Sequence, residues 1–214
     1  MTKLDENLAE LIGIIIGDGF LDGNFGHYNI GIVGDPIKDK EYFFYIRDLI
    51  KKVCNREVKI VHRARGLRIT FGCKDLFLEL TEKYNLPIGQ GKCVKVIIPE
   101  IIVKDLNLVK NTIRGIADTY GSVFGANKPG SPQYPSIEIT TSSIILAEQL
   151  KTILTQQGFK MANIWKYKSK NSVVNSYKVP LNGYKNLDIW LEKIGFSNPT
   201  KLNKAKLLSS INLC

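Results

Sequence analysis

Cysteine, histidine and long apolar runs are scarce in this sequence, and each scarcity removes a class of protein. The four cysteines, Cys54, Cys73, Cys93 and Cys214, form no C-x-x-C pair, which leaves neither a zinc knuckle nor a disulfide framework. His27 and His62 are the only histidines, too few for a histidine-built metal site. The apolar run Leu11–Ile16 falls far short of the roughly 20 residues that span a bilayer. The opening segment MTKLDENLAELIG has no basic region followed by an apolar stretch and a small-residue cleavage site. The expectation is a reduced, cytoplasmic protein with no membrane partner. Acidic residues are also missing where they would matter: none occurs from Gln149 through Leu187.

That last absence sets the charge pattern. The chain carries a net charge of +10, unevenly placed. Residues 1–107 hold 16 Lys/Arg against 15 Asp/Glu, and residues 108–214 hold 14 against 5. Lys151, Lys160, Lys166, Lys168, Lys170, Lys178 and Lys185 accumulate in the acid-free stretch. Any one lysine is ordinary solubilising surface. A single-sign field of this extent favours a polyanionic partner, and composition does not separate DNA, RNA and an acidic membrane surface.

With 214 residues, 44% hydrophobic and 23% charged, the chain has ordinary globular composition and room for two fused halves. The halves resemble one another. Each opens with an apolar helix ending in glycine, LAELIGIIIGDG and LVKNTIRGIADTYG. A strand-like alternation follows, HYNIGIVG and SIEITT, then an amphipathic helix, KDKEYFFYIRDLIKKV and SIILAEQLKTILTQQG. Two further strands come next, EVKIVH with LRITF and NIWKYK with SYKVPL; a last helix closes each half, KDLFLELTEKY and YKNLDIWLEKIGF. The fold class expected is α+β: duplicated αββαββα halves in a pseudo-twofold monomer, with two saddle-shaped antiparallel sheets and a central two-helix interface. Residues 1–86 and 108–214 are the halves, and 87–107, with two prolines and no clear period, is the linker. The segment NKPGSPQYPS is expected to be a surface loop. The interface candidates are the small residues Gly13 and Gly17 and their counterparts Gly115 and Thr119. Spaced four apart, each pair stacks on one helix face and lets two backbones approach closely.

GIIIGDG and RGIADTYGSV resemble the two copies of the motif that names the LAGLIDADG homing endonuclease family, and LNGYKNLDIWLEKIGFSNPTKLNK is similar to the closing segment of its archaeal-type, single-chain members. The resemblance implies that the motif helices pack at the pseudo-twofold axis and that the sheets read the major groove of double-stranded DNA. It also implies that the last acidic residue of each motif holds a divalent metal, Mg²⁺, for phosphodiester hydrolysis, close to the backbone at Gly17 and Thr119. The first motif supplies Asp18 before Gly19; the second has Tyr120 before Gly121. A tyrosine, with a pKa near 10, is neutral at physiological pH and a poor magnesium ligand, so metal binding is expected to be weakened. Asp118 lies two residues back, about 200° round the helix, and is expected to face away from Asp18 as a surface or interdomain contact. The family's polar or basic strand-end positions fall on Gly34 and Thr141, neither of them basic.

Base and phosphate contacts are expected from Arg63, Arg65 and Arg68 around a hairpin and from Lys166, Lys168, Lys170 and Lys178. Alternation would put the first three lysines on one strand face. Three readings result: an intron-encoded-type, sequence-specific DNA-binding protein with cleavage impaired or lost; an RNA-binding intron maturase, given Trp165, Tyr167, Tyr177 and Tyr184 in the basic half; and a module that kept the fold and uses protein partners.

Overall fold

Helix α1 spans Glu6–Ile16 and starts where Asp5 caps it, its carboxylate accepting from the Leu8 amide at 3.0 Å. Its counterpart α6, Leu106–Tyr120, starts at Asp105, whose carboxylate accepts from the amides of Asn107 and Leu108. Such caps satisfy amides that have no partner within the helix. The computed structural model describes residues 3–63, 66–89, 91–170 and 172–211.

After α1 come β1 (Gly19–Asp22), β2 (Asn29–Gly34), α2 (Lys40–Cys54), β3 (Val61–Arg63), β4 (Gly66–Gly72) and α3 (Lys74–Leu78), which runs on into a wider helical turn over Glu79–Lys83. After α6 the order repeats as β5 (Gly121–Lys128), β6 (Ser131–Thr141), α7 (Ile144–Gln156), β7 (Trp165–Tyr167), β8 (Ser176–Asn182) and α8 (Tyr184–Lys193). Both sheets are antiparallel and four-stranded, in the orders β1-β2-β4-β3 and β5-β6-β8-β7. The duplication expected from the sequence is therefore the architecture.

Four local expectations are corrected. The strand EVKIVH is reduced to the ladder residues Val61–Arg63, and NIWKYK to Trp165–Tyr167. NKPGSPQYPS is part of the long β5–β6 hairpin rather than a loop. Its prolines are tolerated because β6 pairs with β8 only from Ser136 onward, so the earlier stretch has β5 alone as a ladder partner. The linker holds two one-turn helices, α4 (Lys92–Lys95) and α5 (Glu100–Val103), and buries Val96, Ile98 and Ile102. A final helix, α9 (Pro199–Ile211), follows the repeat and packs Ala205 and Leu208 inward.

Each sheet has one face on the core and one open. Ile30 and Ile32 of β2 pair with Phe71 and Ile69 of β4, and all are buried. Ile137 and Ile139 of β6 likewise pair with Leu181 and Val179 of β8. Alternation turns the residues between them outward: Phe20, Val33, Arg68 and Thr70 on the first sheet, and Ser122, Glu138, Thr140 and Lys178 on the second. One contiguous cluster of buried residues runs through both halves. No helix among the described residues is long and apolar enough to cross a membrane. Cys54, Cys73 and Cys93 are free thiols, and Cys214 lies outside the described residues.

Candidate functional site

The helices α1 and α6 cross where their small residues meet. A methyl on Gly13 would overlap the Thr112 carbonyl of α6, and one on Gly115 would overlap the Glu10 carbonyl of α1. One on Gly17 would overlap the Thr119 side chain, 2.6 Å from its Cβ. The obstacles are reciprocal, as a twofold requires, and at the first two positions they are backbone atoms that cannot rotate away. The close approach allows Thr112 Oγ1 to donate across the crossing to the Ala9 carbonyl at 2.9 Å. Gly13, Gly17, Gly115 and Thr119 thus stand together at the interface.

Beside the crossing, a buried cluster ties the halves. Glu10 is 2% exposed; its carboxylate accepts from Arg114 Nη2 at 2.7 Å, Tyr45 Oη at 2.9 Å and Ser197 Oγ at 2.6 Å. Such a buried ion pair holds only while its remaining lone pairs are satisfied. Here two hydroxyls do so.

Both helices end in a lysine clamp. Lys92 Nζ donates to the carbonyls of Ile15 (2.6 Å), Ile16 (3.1 Å), Gly17 (2.8 Å) and Gly19. Lys201 Nζ donates to those of Ala117 (2.9 Å), Asp118 (2.6 Å) and Thr119 (3.3 Å). A cation there complements the negative end of the helix dipole. Burial pushes the Lys92 ammonium down to about 8, against the nearby Asp18 charge, and burial also lowers Lys201. Neither lysine is identifiable from local pattern, since Lys92 opens the one-turn α4 and Lys201 lies in the first turn of α9, each far along the chain from the helix end it binds; the available signal was a lysine at a comparable distance after each motif.

Asp18 follows the end of α1 on the turn into β1, where its carbonyl accepts from the Val33 amide at 3.0 Å. It lines an open cleft of about 580 Å³ with Val33, Gly34, Asp39, Arg63 and Arg68. Burial raises its carboxyl pKa, Lys201 and Lys92 oppose the shift, and Asp39 adds to it. The Tyr120 hydroxyl is pushed up to about 12 by burial, with the Asp18 charge adding to the effect. Asp18 and Tyr120 are therefore close enough to sense each other.

Asp118, expected at the surface or at an interdomain contact, is a buried residue. At 1% exposure its carboxylate accepts from the amides of Ser197 (2.9 Å) and Asn198 (3.1 Å), just ahead of α9. Burial pushes its pKa up to about 7. Close by, the buried Tyr42 hydroxyl has no hydrogen-bond partner among the described residues.

As for metal, the described residues contain no group of three or more His, Cys, Asp or Glu suited to hold an ion. The Gly17 and Thr119 carbonyls, expected near the metal, are already taken by the two lysines. Among the described residues the Asp18 carboxylate has no hydrogen-bond donor, while the neighbouring Asp39 accepts from the Asp35 amide and from Asn198 Nδ2. Magnesium needs only one or two carboxylates alongside waters and phosphate oxygens, and Asp18 is a carboxylate that fits such a role. Gly34 ends β2 on the cleft wall without a side chain to offer, and buried Thr141 accepts from the Ser143 amide.

On the first sheet, Arg63 pairs opposite Gly66 and Val61 opposite Arg68, which places Arg63 and Arg68 on the open face. The Arg68 guanidinium lies over the Phe20 ring at 4.8 Å and its Nε donates to Thr70 at 2.9 Å, fixing its direction. Arg65 lies outside the described residues. On the second sheet the expected lysine stripe is corrected. Lys166 pairs opposite Tyr177, on the face that Val179 and Leu181 turn to the helices, and β7 ends at Tyr167, before Lys168 and Lys170. Lys178 is on the open face but bonded to Glu138 at 2.7 Å. Alternation showed which residues share a face; the ladder register decided which face it was.

Residues 107–195 match the family model of the LAGLIDADG-like domain. The chain is 28% identical over 203 residues to the replication factor C small subunit of Methanocaldococcus jannaschii, covering 95% of this chain and 10% of that protein; it thus spans a tenth of that curated relative's length. By fold it is similar to I-DmoI in complex with DNA and calcium, at TM-score 0.64 and 16% identity over 94% of this chain and 96% of that one. It is also similar to full-length DUF199/WhiA from Thermatoga maritima, at TM-score 0.58 and 18% identity over 97% of this chain and 60% of that one. Residues 107–195 thus fit the LAGLIDADG-like domain, and the chain as a whole has the two-half, pseudo-symmetric fold of these solved structures.

Proposed function

We propose that this chain, with its LAGLIDADG-like second half and pseudo-twofold fold, is a monomeric, sequence-specific double-stranded DNA-binding protein in which cleavage is impaired or lost. The observation that carries the reading is the asymmetric foot of the paired helices, with Asp18 on one side and a tyrosine kept neutral on the other. The open sheet faces and the two arginines directed from the first of them support DNA contact, and the similar solved structures of I-DmoI are in complex with DNA and Ca or Mn.

Asp18 would hold a Mg²⁺ ion, which when bound offsets phosphoryl charge and activates water. Lys92 keeps the turn that carries Asp18 in place by binding the carbonyls on both sides of it. Lys201 places a second positive charge near the same carboxylate and favours its ionised form. Tyr120 fills the place of a second carboxylate with a ring and excludes water from it. Binding and cutting are thereby separable: the sheets do the first, and the helix ends the second.

The test is a cleavage assay on a duplex selected by binding, run with Mg²⁺ and with EDTA. The parent should bind the site and cut it slowly, on one strand or neither. Tyr120→Asp should raise double-strand cleavage by orders of magnitude, at about tenfold per 1.4 kcal/mol of recovered transition-state stabilisation. Asp18→Asn added to Tyr120→Asp should abolish it. Efficient double-strand cutting by the parent would overturn the reading.

A further inference from the structure

The open faces of the two sheets differ at their outer strands. On the first sheet, β3 presents Val61 and Arg63. On the second, β7 presents rings: Trp165 stands opposite Lys178 and Tyr167 opposite Ser176, so both point the same way as Lys178 and away from buried Val179 and Leu181. Trp165 is 67% exposed and Tyr167 36% exposed, whereas the chain's other tryptophan, Trp190, is 0% exposed. An indole left largely in water forgoes the burial that large aromatic side chains otherwise gain.

The rings are held rather than loose. Lys178 Nζ lies 5.9 Å from the Trp165 ring centroid and 5.2 Å from that of Tyr167, and it is tied to Glu138 at 2.7 Å. That ion pair cancels its own charge, so what the strand offers here is ring surface. Beyond and behind it, Lys166, Lys168 and Lys170 are exposed in a stretch of chain with no acidic residue. A flat aromatic surface beside a field of one sign is complementary to a nucleobase joined to phosphates. A base inside a duplex is already stacked on both sides and shows only its edge to a protein. A ring platform on a sheet suits bases that are unpaired.

We propose that Trp165 and Tyr167, braced by Lys178, form a stacking platform for one or two unpaired bases of a nucleic-acid strand, with the lysines that flank β7 meeting its phosphates. This rests on the reading that the open sheet faces meet nucleic acid; it is independent of the metal site.

Intrinsic fluorescence tests it on the full chain, because Trp190 is buried and a base that stacks on tryptophan reports on Trp165. The probes are a 12-nucleotide single-stranded DNA, an RNA of the same sequence, and the DNA duplex. Single strands should quench the emission. Trp165→Ala should raise the single-strand Kd by about five- to a hundredfold, the range one stacked base contributes. Trp165→Phe should keep most of the affinity, and Trp165→Ala should cost the single strand more than the duplex, whose paired bases leave no ring face free to stack. Quenching by DNA or by RNA supports the platform, and the tighter of the two names the source. Absent quenching, or single-strand binding unchanged by Trp165→Ala, overturns it. So does an equal loss on duplex and single strand, which would make Trp165 a backbone contact. Single-strand binding without duplex binding would instead defeat the duplex proposal alone.

Discussion

Replacing Gly13 or Gly115 by alanine adds a single methyl at the tightest place in the molecule. At Gly13 the new carbon would overlap the Thr112 carbonyl and come 3.1 Å from the Ile116 amide nitrogen; at Gly115 it would overlap the Glu10 carbonyl and come 2.8 Å from the Ile14 nitrogen. These are main-chain atoms, so the helices must separate. Overpacking of this kind costs about 1–3 kcal/mol. Separation also stretches the hydrogen bond from Thr112 to Ala9, worth about 0.5–1.5 kcal/mol. Alanine's better helix propensity returns about 0.5–1 kcal/mol. The expected net loss is about 0.5–4 kcal/mol for either variant, a fall in Tm of about 1–16 °C for a chain of this size. Because both methyls act on one crossing, helices already separated by the first should accept the second at lower cost. The double variant should therefore fall short of the summed losses by about 0.5 kcal/mol or more. Urea denaturation of the four proteins, followed by circular dichroism, checks this. Single variants as stable as the parent, or strictly additive losses, would refute the packing argument.

The buried ion pair should show the opposite asymmetry to a surface one: Arg114→Met strands Glu10 among two hydroxyls and should cost about 3–5 kcal/mol, read by the same denaturation. Asp118 gives a pH signature. With its folded pKa pushed to about 7 against about 3.9 unfolded, the folded state binds the extra proton between those values. Its contribution is therefore full below about pH 4 and is lost as pH rises towards 7, and Asp118→Asn should flatten that part of the stability profile. On the first sheet, replacing both Arg63 and Arg68 by alanine should flatten the log–log salt dependence of duplex binding by up to about 1.8, at about 0.9 per phosphate; Lys166→Ala, on the other sheet face, should leave it unchanged in the same filter-binding titration.

Local pattern carried much of this protein. Helical periodicity marked α2 and α7, strand alternation marked β2 and β4, and their recurrence in one order after each glycine-ended helix indicated the duplicated fold. The paired small residues at Gly13, Gly17, Gly115 and Thr119 indicated the crossing, because a four-residue spacing on a helix fixes a common face whatever lies beyond it. The difference between Asp18 and Tyr120 was legible for the same reason: each is defined by its place relative to a nearby helix end.

What sequence left undetermined depends on contacts between distant segments. Lys92 and Lys201 have no local signature as caps, since their partners are the carbonyls of helix ends 73 or more positions away. Helix geometry set Asp118 apart from the motif position, yet only the return of the chain at Ser197 and Asn198 made it a buried acceptor. Alternation grouped Lys166 apart from Trp165 and Tyr167, but a strand's own residues do not state which side meets the core. The pairing of Trp165 with Lys178 across β7 and β8 turned the rings outward to the open face and Lys166 to the other. Spacing along a chain fixes relative direction within one element; absolute direction requires a second element to pack against, and only the tertiary structure supplies it.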